Sequence, residues 1–547
     1  MHRSANLNPR LSVEGGWRNN RCYRKLTCKF FTDFSDKWIS KFVVGLVLTI
    51  LLIILLYIFQ PFQTEVNIIV IDAKRPLLIV DKHFLSIALD SSLIADNFQG
   101  FDPTDYRIIA LMHPFRGGYL RIGGTMADRL IFNSSEDHNI KIINSFLDNG
   151  ECSYDGKFCN VLKQNFNMSG KQWTQLNDLA NKTGQTVLFD LNCLLRHANG
   201  TWDSANAEKL IKFSDENKYD LIWELGNEPN SFKHVFDVEL NATQLAYDFK
   251  HLQMVLKKYP RYERSLIVGP DITRPRSKQV IDYLKEFLIH QQIRLNAITW
   301  HQYYFNGRDA YLYYFVNPEI FDLLKSEILL VKDAVKKLDM DYIPLWLGET
   351  SSAYGGGAPG FSDRYVSTFI WLDKLGLSAR MGIEVVIRQS FFKGHYALIS
   401  DMYVPNPDWW ISVLYKRLVD EEVIKCNLVA PPEVRFYCHC TPKNRYVEGP
   451  AVTVFGMNMR NSEAIIRIQQ QEYKLLEKYR IHAFIIQTHV SILSRTVYLN
   501  DELLVLKSNY ELPDFVPVVS TSNMIVLPPY SLGFWIVESN HFEACIL

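Results

Sequence analysis

Two glutamates sit in settings that could do chemistry. Glu228 lies in Trp223-Glu-Leu-Gly-Asn-Glu-Pro-Asn230, and Glu349 lies in Trp346-Leu-Gly-Glu-Thr-Ser-Ser-Ala-Tyr354. Each follows a short apolar run and a glycine, which places each at the end of a strand. Two carboxyl groups at strand ends, distant in sequence, are what a retaining glycosidase needs. One protonates the leaving oxygen while the other attacks the sugar carbon, across roughly 5–5.5 Å. Glu228 is the candidate general acid/base and Glu349 the candidate nucleophile. The first has to hold its proton until attack and the second has to be ionised, a separation that burial and hydrogen bonding produce. Pro229 is expected to restrict Glu228 to extended conformations and stiffen the loop. Asn227 can donate to a sugar hydroxyl or to the nucleophile. A lone strand-end glutamate is ordinarily a surface ion pair or a helix cap. It is the pairing of two that outweighs that reading.

Further polar groups gather at the same level. In Trp300-His-Gln-Tyr-Tyr304, His301 and Tyr303 can bond a carboxylate or orient Glu349, unless they are satisfied core aromatics. The glycine run in Ala353–Pro359 lets backbone N–H groups approach an anion. It lacks the Gly-Lys-Ser/Thr ending of a phosphate-binding loop. Arg274, Arg276 and Lys278 form a local basic group, with Arg308 further on. Such a group suits sulfate or carboxylate, although a charge run is more often a solvated face.

A regular scaffold has to bring these groups together. Apolar runs at Ser86–Asp90, Tyr119–Ile122, Thr186–Leu191, Leu221–Leu225, Ser265–Gly269, Ala297–Trp300, Pro344–Leu347 and Ile383–Ile387 read as strands. Helix-like stretches such as Ala205–Asn217, Ala242–Lys258, Lys278–His290 and Ile320–Lys337 separate them. Eight such units predict a parallel sheet closed into a (β/α)8 TIM barrel over 85–420, with catalytic groups at the C-terminal strand ends. Glu228 follows the fourth strand and Glu349 the seventh, on facing sides of the cavity. The polar stretch 133–181 reads as an insertion. Short β-like runs over 421–547 predict a C-terminal β-sandwich domain, which a strand within 60–84, Val66–Ile71, can join.

The chain of 547 residues has a formal net charge of zero, which offers no case for nucleic acid. Phe42 to Phe59 is an 18-residue run without charge, about the length that spans a bilayer. It follows basic residues from Arg18 to Lys41. The positive-inside rule makes 1–41 a cytoplasmic tail and 42–59 a single N-terminal transmembrane signal-anchor of type II orientation. Signal cleavage and secretion is the alternative. Five sequons, at Asn133, Asn167, Asn181, Asn199 and Asn241, agree with a lumenal or extracellular catalytic region. Cys22 and Cys28 fall on the reducing side. Cys152 and Cys159 can pair, and Cys545 can reach Cys438 or Cys440. No cysteine or histidine spacing fits a metal site, and no cofactor is required.

These residues resemble the heparanase family of endo-β-glucuronidases, in the larger clan of retaining barrel glycosidases. Trp223–Phe232 is similar to the family's acid/base motif and Trp346–Pro359 to its nucleophile motif. Leu120–Thr125 and Trp371–Val386 resemble further family segments. The resemblance runs from about Val66 to the C-terminus. It implies an enzyme that cuts heparan sulfate internally, with Glu228 as acid/base and Glu349 as nucleophile. It places Asp90, Asn227, Tyr303, Gly355, Gly356, Gln389 and Tyr396 around the bound glucuronate, with Thr125 and Tyr354 beside them. Arg276 and Arg308 would then meet sulfate, and Cys440 would pair with Cys545. The stretch 133–181 is shorter than the excised linker of the family's proenzymes, so a single-chain active form is expected. The lysine-rich start of the family's large subunit is thinned to Lys163 and Lys171. Arg274 stands in place of an uncharged polar residue, which points to a different sulfation preference. The anchor points to a Golgi, lysosomal or cell-surface enzyme. Two other readings follow: the same chemistry on hyaluronan or another glucuronide polymer, and a catalytically weak surface protein that binds heparan sulfate.

Overall fold

The computed structural model describes residues 41–52, 66–135, 164–443, 446–471 and 478–546. The chain divides into Met1–Thr64 and Glu65–Leu547. In the first unit residues 41–52 are helical. The rest of the expected span, 53–59, lies outside the described residues. Among the described residues no helix is long and apolar enough to cross a membrane, so the transmembrane helix expected at 42–59 gains no support from them.

In the second unit eight parallel strands form one sheet: Leu85–Asp90, Tyr119–Gly123, Thr186–Leu191, Leu221–Leu225, Val268–Ile272, Ala297–Gln302, Leu345–Thr350 and Val385–Arg388. The first strand pairs with both the second and the eighth, as a barrel requires. Between the fourth and fifth only the bridge Trp223–Ile267 closes the ring, so the barrel is nearly closed. Side chains are buried on both faces of these strands because helices cover the outside and a packed core fills the inside. The fifth strand lies about three residues later than expected and runs through Pro270. Its register against the sixth strand jumps there, and a bulge tolerates a residue without an N–H.

The expected insertion is narrower than 133–181. Phe166–Ser169 pairs in parallel with Leu130–Asn133, and Gly170–Thr183 is the helix that leads to the third strand. Ser169 and Gln172 form a capping box, with Ser169 Oγ accepting from the Gln172 N–H at 3.2 Å and Gln172 Oε1 accepting from the Ser169 N–H at 2.9 Å. That helix start is hidden in a polar stretch that reads as loop. Residues 136–163, with Cys152 and Cys159, lie outside the described residues.

The C-terminal region forms a twelve-stranded, largely antiparallel sheet rather than two separate ones. Val66–Asp72 sits within it, antiparallel to Glu422–Val429 and parallel to Ala464–Gln470. Residues from distant strands, including Ile69, Val454, Ile466 and Trp535, share one core, so the sheet bends over itself. Alternation gives it a second apolar face: Phe455, Met457 and Phe534 join the barrel core. Helix Ser367–Arg380 is buried on every side between the two. At Gly376 an added Cβ would lie 2.2 Å from the Tyr437 ring, so only glycine permits that approach.

Cys440 and Cys545 form a disulfide 105 residues apart, while Cys438 stays a buried thiol. The Ala544 N–H donates to the Ala73 carbonyl at 2.9 Å, which brings the C-terminal turn beside Cys440. A crosslink over so long a loop contributes about 2–5 kcal/mol. The Cys440→Ser/Cys545→Ser variant is expected to unfold a few degrees lower in calorimetry with turnover of the folded enzyme unchanged. An unshifted transition would sink this account.

Candidate active site

Most of the charged side chains on these strands lie toward their C-terminal ends. The second strand carries Arg121, the third Asp190, the fourth Glu224, the fifth Asp271, the sixth His301 and the seventh Glu349. Arg121 is fully buried and forms the hub. Its Nε donates to Glu224 Oε2 at 2.8 Å, Nη1 to Glu349 Oε2 at 2.9 Å, and Nη2 to Asn227 Oδ1 at 3.2 Å and to Asp271 Oδ2. Asp190 lies 3.8 Å away. The guanidinium folds against Gly123, where an added Cβ would sit 2.6 Å from Arg121 Cζ.

Burial opposes charge on Arg121, but Asp271, Glu224 and Glu349 outweigh it and keep the guanidinium ionised. Burial pushes Glu224 up to about 8 and Asp190 well above the usual carboxylate range. The shift of both groups is toward the protonated form, which lessens the negative charge buried at the site. Burial opposes ionisation of Asp271 too, but Arg121 and His301 outweigh it and hold its carboxyl below the usual range. Asp190, Glu224 and Asp271 are close enough together to ligate a metal ion. Arg121 contacts all three and supplies the positive charge there.

His301 connects the candidate acid/base to this hub. Its Nδ1 lies 2.9 Å from Glu228 Oε1, and its Nε2 lies 3.0 Å from Asp271 Oδ2. Burial disfavours charge on His301, yet Asp271 and Glu349 raise its pKa well above the ordinary value. Glu349 Oε1 accepts from the Tyr303 hydroxyl at 2.6 Å. Glu349 is thus held by a donor on each oxygen, whereas Glu228 is more exposed to the cleft. His301 Nδ1 also lies 3.9 Å from Glu349 Oε1, so the two facing carboxylate oxygens are separated by no more than the sum of those spans, 6.8 Å.

The backbone at Glu228 departs from the extended form expected from Pro229. Its φ is 55° and its ψ 51°, in the left-handed region, where it opens the short turn Pro229–Ser231. The surrounding contacts impose this conformation. The Glu228 N–H donates to the Asp271 carbonyl at 3.1 Å, and the Asn227 N–H donates to Asp128 Oδ2 at 2.9 Å. Strain of this kind is held by an over-determined neighbourhood and recurs at functional sites.

A cavity of about 480 Å³ opens over the pair. It is lined by Asp90, Thr125, Asn227, Glu228, Arg274, His301, Tyr303, Glu349, Tyr354, Gly355, Gly356, Gln389 and Tyr396, together with Gly124 and Thr273. Gln389 donates to Asp90 Oδ2 at 3.0 Å, tying the eighth strand end to the first. Gly124, at φ 96°, leaves room for that carboxylate, because a Cβ would come 2.5 Å from Asp90 Oδ2.

Of the basic residues expected around the substrate, Arg274 lines the cavity and Arg276 and Arg308 do not. Arg274 is largely buried, its Nε on Glu327 Oε1 and its Nη1 donating to the Tyr304 carbonyl at 2.6 Å. Arg276 is outside the cavity lining and donates to the same Glu327 oxygen at 2.8 Å. One carboxylate thus holds both guanidiniums, a contact that sequence spacing does not reveal. Arg308 is exposed and also outside the lining. The residues missed by sequence reasoning are Arg121, Asp190, Glu224, Asp271 and Asp128. A charged residue inside an apolar strand of a two-sided parallel sheet was the signal for the first four.

A nearly closed parallel barrel with two carboxyls meeting at its C-terminal mouth is the architecture of a glycoside hydrolase, and comparison with known proteins agrees. Residues 97–376 match glycosyl hydrolase family 79, N-terminal domain. The chain is 34% identical to heparanase from Gallus gallus, over 91% of this chain and all of that one. It is 33% identical to hyaluronoglucuronidase from Hirudo nipponia, over 87% of this chain and 99% of that one. Among solved structures, a 4-O-α-L-rhamnosyl-β-D-glucuronidase from Fusarium oxysporum 12S superposes with a TM-score of 0.63. It covers 86% of this chain and 99% of its own at 15% identity, a likeness of fold. The chain is a glycoside hydrolase. It belongs to glycosyl hydrolase family 79, the heparanase family.

Proposed function

We propose that this protein is a retaining endo-β-glucuronidase that cleaves heparan sulfate. The observation that carries the reading is the meeting of Glu228 and Glu349 over one cavity, with a ceiling of 6.8 Å between their facing oxygens. That ceiling accommodates the short separation of retaining enzymes, while inverting ones need roughly 6.5–9.5 Å between carboxyls to seat a water. In the first step a Glu349 oxygen bonds to the anomeric carbon, the glycosidic C–O bond breaks, and the Glu228 proton passes to the leaving oxygen. In the second, Glu228 takes a proton from water, whose oxygen displaces Glu349. Tyr303 and Arg121 hold the attacking carboxylate in place, and His301 orients Glu228. The substrate class rests on the kinship with heparanase and hyaluronoglucuronidase.

Hyaluronan is the second reading, and one observation favours it. Glu327 holds both Arg274 and Arg276, which leaves that wall with less free charge for sulfate. We further propose that the catalytic region lies in the lumen or outside the cell, behind a type II anchor at 42–59. Four sequon asparagines at exposed positions and the disulfide support this placement.

The full chain, expressed in a secretory host, is expected to shorten size-defined heparan sulfate in acidic buffer, faster than hyaluronan of equal length. The first-formed reducing end should be the β-anomer by proton NMR. An α-anomer formed first would overturn retention. Faster cleavage of hyaluronan would move the second reading ahead, and folded protein that binds without shortening either polymer would favour a binding protein.

A further inference from the structure

Beyond the sixth strand, the chain builds a feature the proposed chemistry does not use. Phe305–Asn306 pairs in parallel with Ala353–Tyr354, placing Asn306 opposite Tyr354, a wall of the catalytic cavity. The next residue, Gly307, packs on the glycine ridge below the cavity mouth. A Cβ there would lie 2.2 Å from the Gly357 carbonyl oxygen, so this segment is bound closely to the rim. Two short turns follow, Gly307–Asp309 and Leu312–Val316.

Within them Tyr311 is 66% exposed and Tyr313 is 61% exposed, either side of an inward Leu312. Both are braced from beneath. Tyr314 lies 5.7 Å from Tyr311 and 6.3 Å from Tyr313 between ring centroids, and it rests on Phe305 at 5.1 Å. Phe305 is the strand neighbour of Ala353, so the brace and the cavity wall share one ribbon. Two large aromatic side chains left in water forgo burial that would stabilise the fold. Held on a rigid support, they offer broad amphipathic surface at little entropic cost on binding.

We propose that Tyr311 and Tyr313 form an aromatic ledge that takes a pyranose ring of the glycan outside the catalytic cavity. This rests on the endo-glucuronidase reading, because a polymer longer than the cavity has to leave across its rim. The Tyr354–Asn306 ribbon makes that rim continuous with the ledge. The chemistry also selects the ligand. Tyrosine faces are uncharged and pack against the C–H face of a sugar ring. A surface built for sulfate presents guanidinium or ammonium groups instead. The ledge therefore reads chain length and ring face, with little dependence on sulfation.

The test uses the full chain with unsulfated oligosaccharides of alternating glucuronate and N-acetylglucosamine, a tetrasaccharide and a decasaccharide. Tyr311→Ser/Tyr313→Ser is expected to lower kcat/KM on the decasaccharide about tenfold, mainly through KM, as loss of aromatic contacts predicts. On the tetrasaccharide it should stay within about twofold of wild type, since no ring reaches the ledge. Tyr311→Phe/Tyr313→Phe keeps the faces and should retain wild-type length dependence. Equal losses on both lengths, or no loss on the longer one, overturn the ledge. If the wild type cuts neither unsulfated glycan, the parent reading is judged by its own assay on size-defined heparan sulfate, and the ledge by calorimetric binding of the decasaccharide. A tenfold weaker affinity in the serine variant then supports it. Unchanged affinity, or no binding by wild type, overturns it.

Discussion

Glu349→Gln is expected to reduce turnover of a glucuronide polymer by roughly 10⁴-fold or more, the scale at which removal of a covalent nucleophile acts. The amide keeps the shape of the side chain but is too poor a nucleophile to form the glycosyl-enzyme bond. The structure makes the loss specific. Tyr303 and Arg121 donate to different oxygens of Glu349, so the carboxylate is already aimed and cannot be replaced by a neighbour. Gly348 contributes by its smallness, because a Cβ would lie 2.4 Å from Asp271 Oδ1 and push the strand end away. Azide distinguishes the two glutamates chemically. With Glu349→Ala it should restore cleavage of an activated aryl β-glucuronide and yield the α-azide by one displacement. With Glu228→Ala it should yield the β-azide by two. A Glu349→Gln enzyme that retained more than about one hundredth of wild-type turnover would falsify the assignment of Glu349 as nucleophile.

Arg121→Met carries the second large effect, and it falls on stability as well as activity. The substitution removes the guanidinium that contacts Glu224, Asp271, Asp190 and Glu349, of which only Glu349 reaches the cavity and the other three are buried from water. Stranding a buried charge in this way costs about 3–5 kcal/mol. A unit of this length unfolds with an entropy of roughly 1 kcal/mol/K, so the expected drop in Tm is about 3–5 °C. Arg121→Lys separates the two roles. It restores a positive charge, and with it most of the stability. A point charge cannot reproduce a fork that reaches Glu224, Glu349 and Asn227 together. Calorimetry should therefore show a near-normal transition while kcat falls about tenfold or more and KM changes little. If Arg121→Met melts like wild type, the hub does not hold the site. If Arg121→Lys is fully active, a fork is not needed to aim Glu349.

By itself the sequence determined the parts that depend on short-range pattern. Continuous apolar runs separated by amphipathic stretches can only be buried as a parallel sheet covered by helices, and the two Gly-containing glutamate motifs announce themselves at strand ends. The Cys440–Cys545 pairing came from family resemblance, because alternation along the strand leaves Cys438 on the same face and equally plausible. Only the tertiary structure decided matters that depend on which distant side chains converge. Pro229 alone argues for an extended Glu228, but contacts from Asp271 and Asp128 to the same loop impose a left-handed one. Arg274 and Arg276 read in sequence as a local basic group, and only the fold shows that Glu327, some fifty positions away in sequence, bonds both. Arg121 reads as one misplaced charge in a strand, and becomes the hub when barrel closure brings four carboxyls from other strands within reach. The physical reason is the same in each case. Backbone pattern is set by neighbours along the chain, whereas the electrostatics of a buried site is set by neighbours across the barrel.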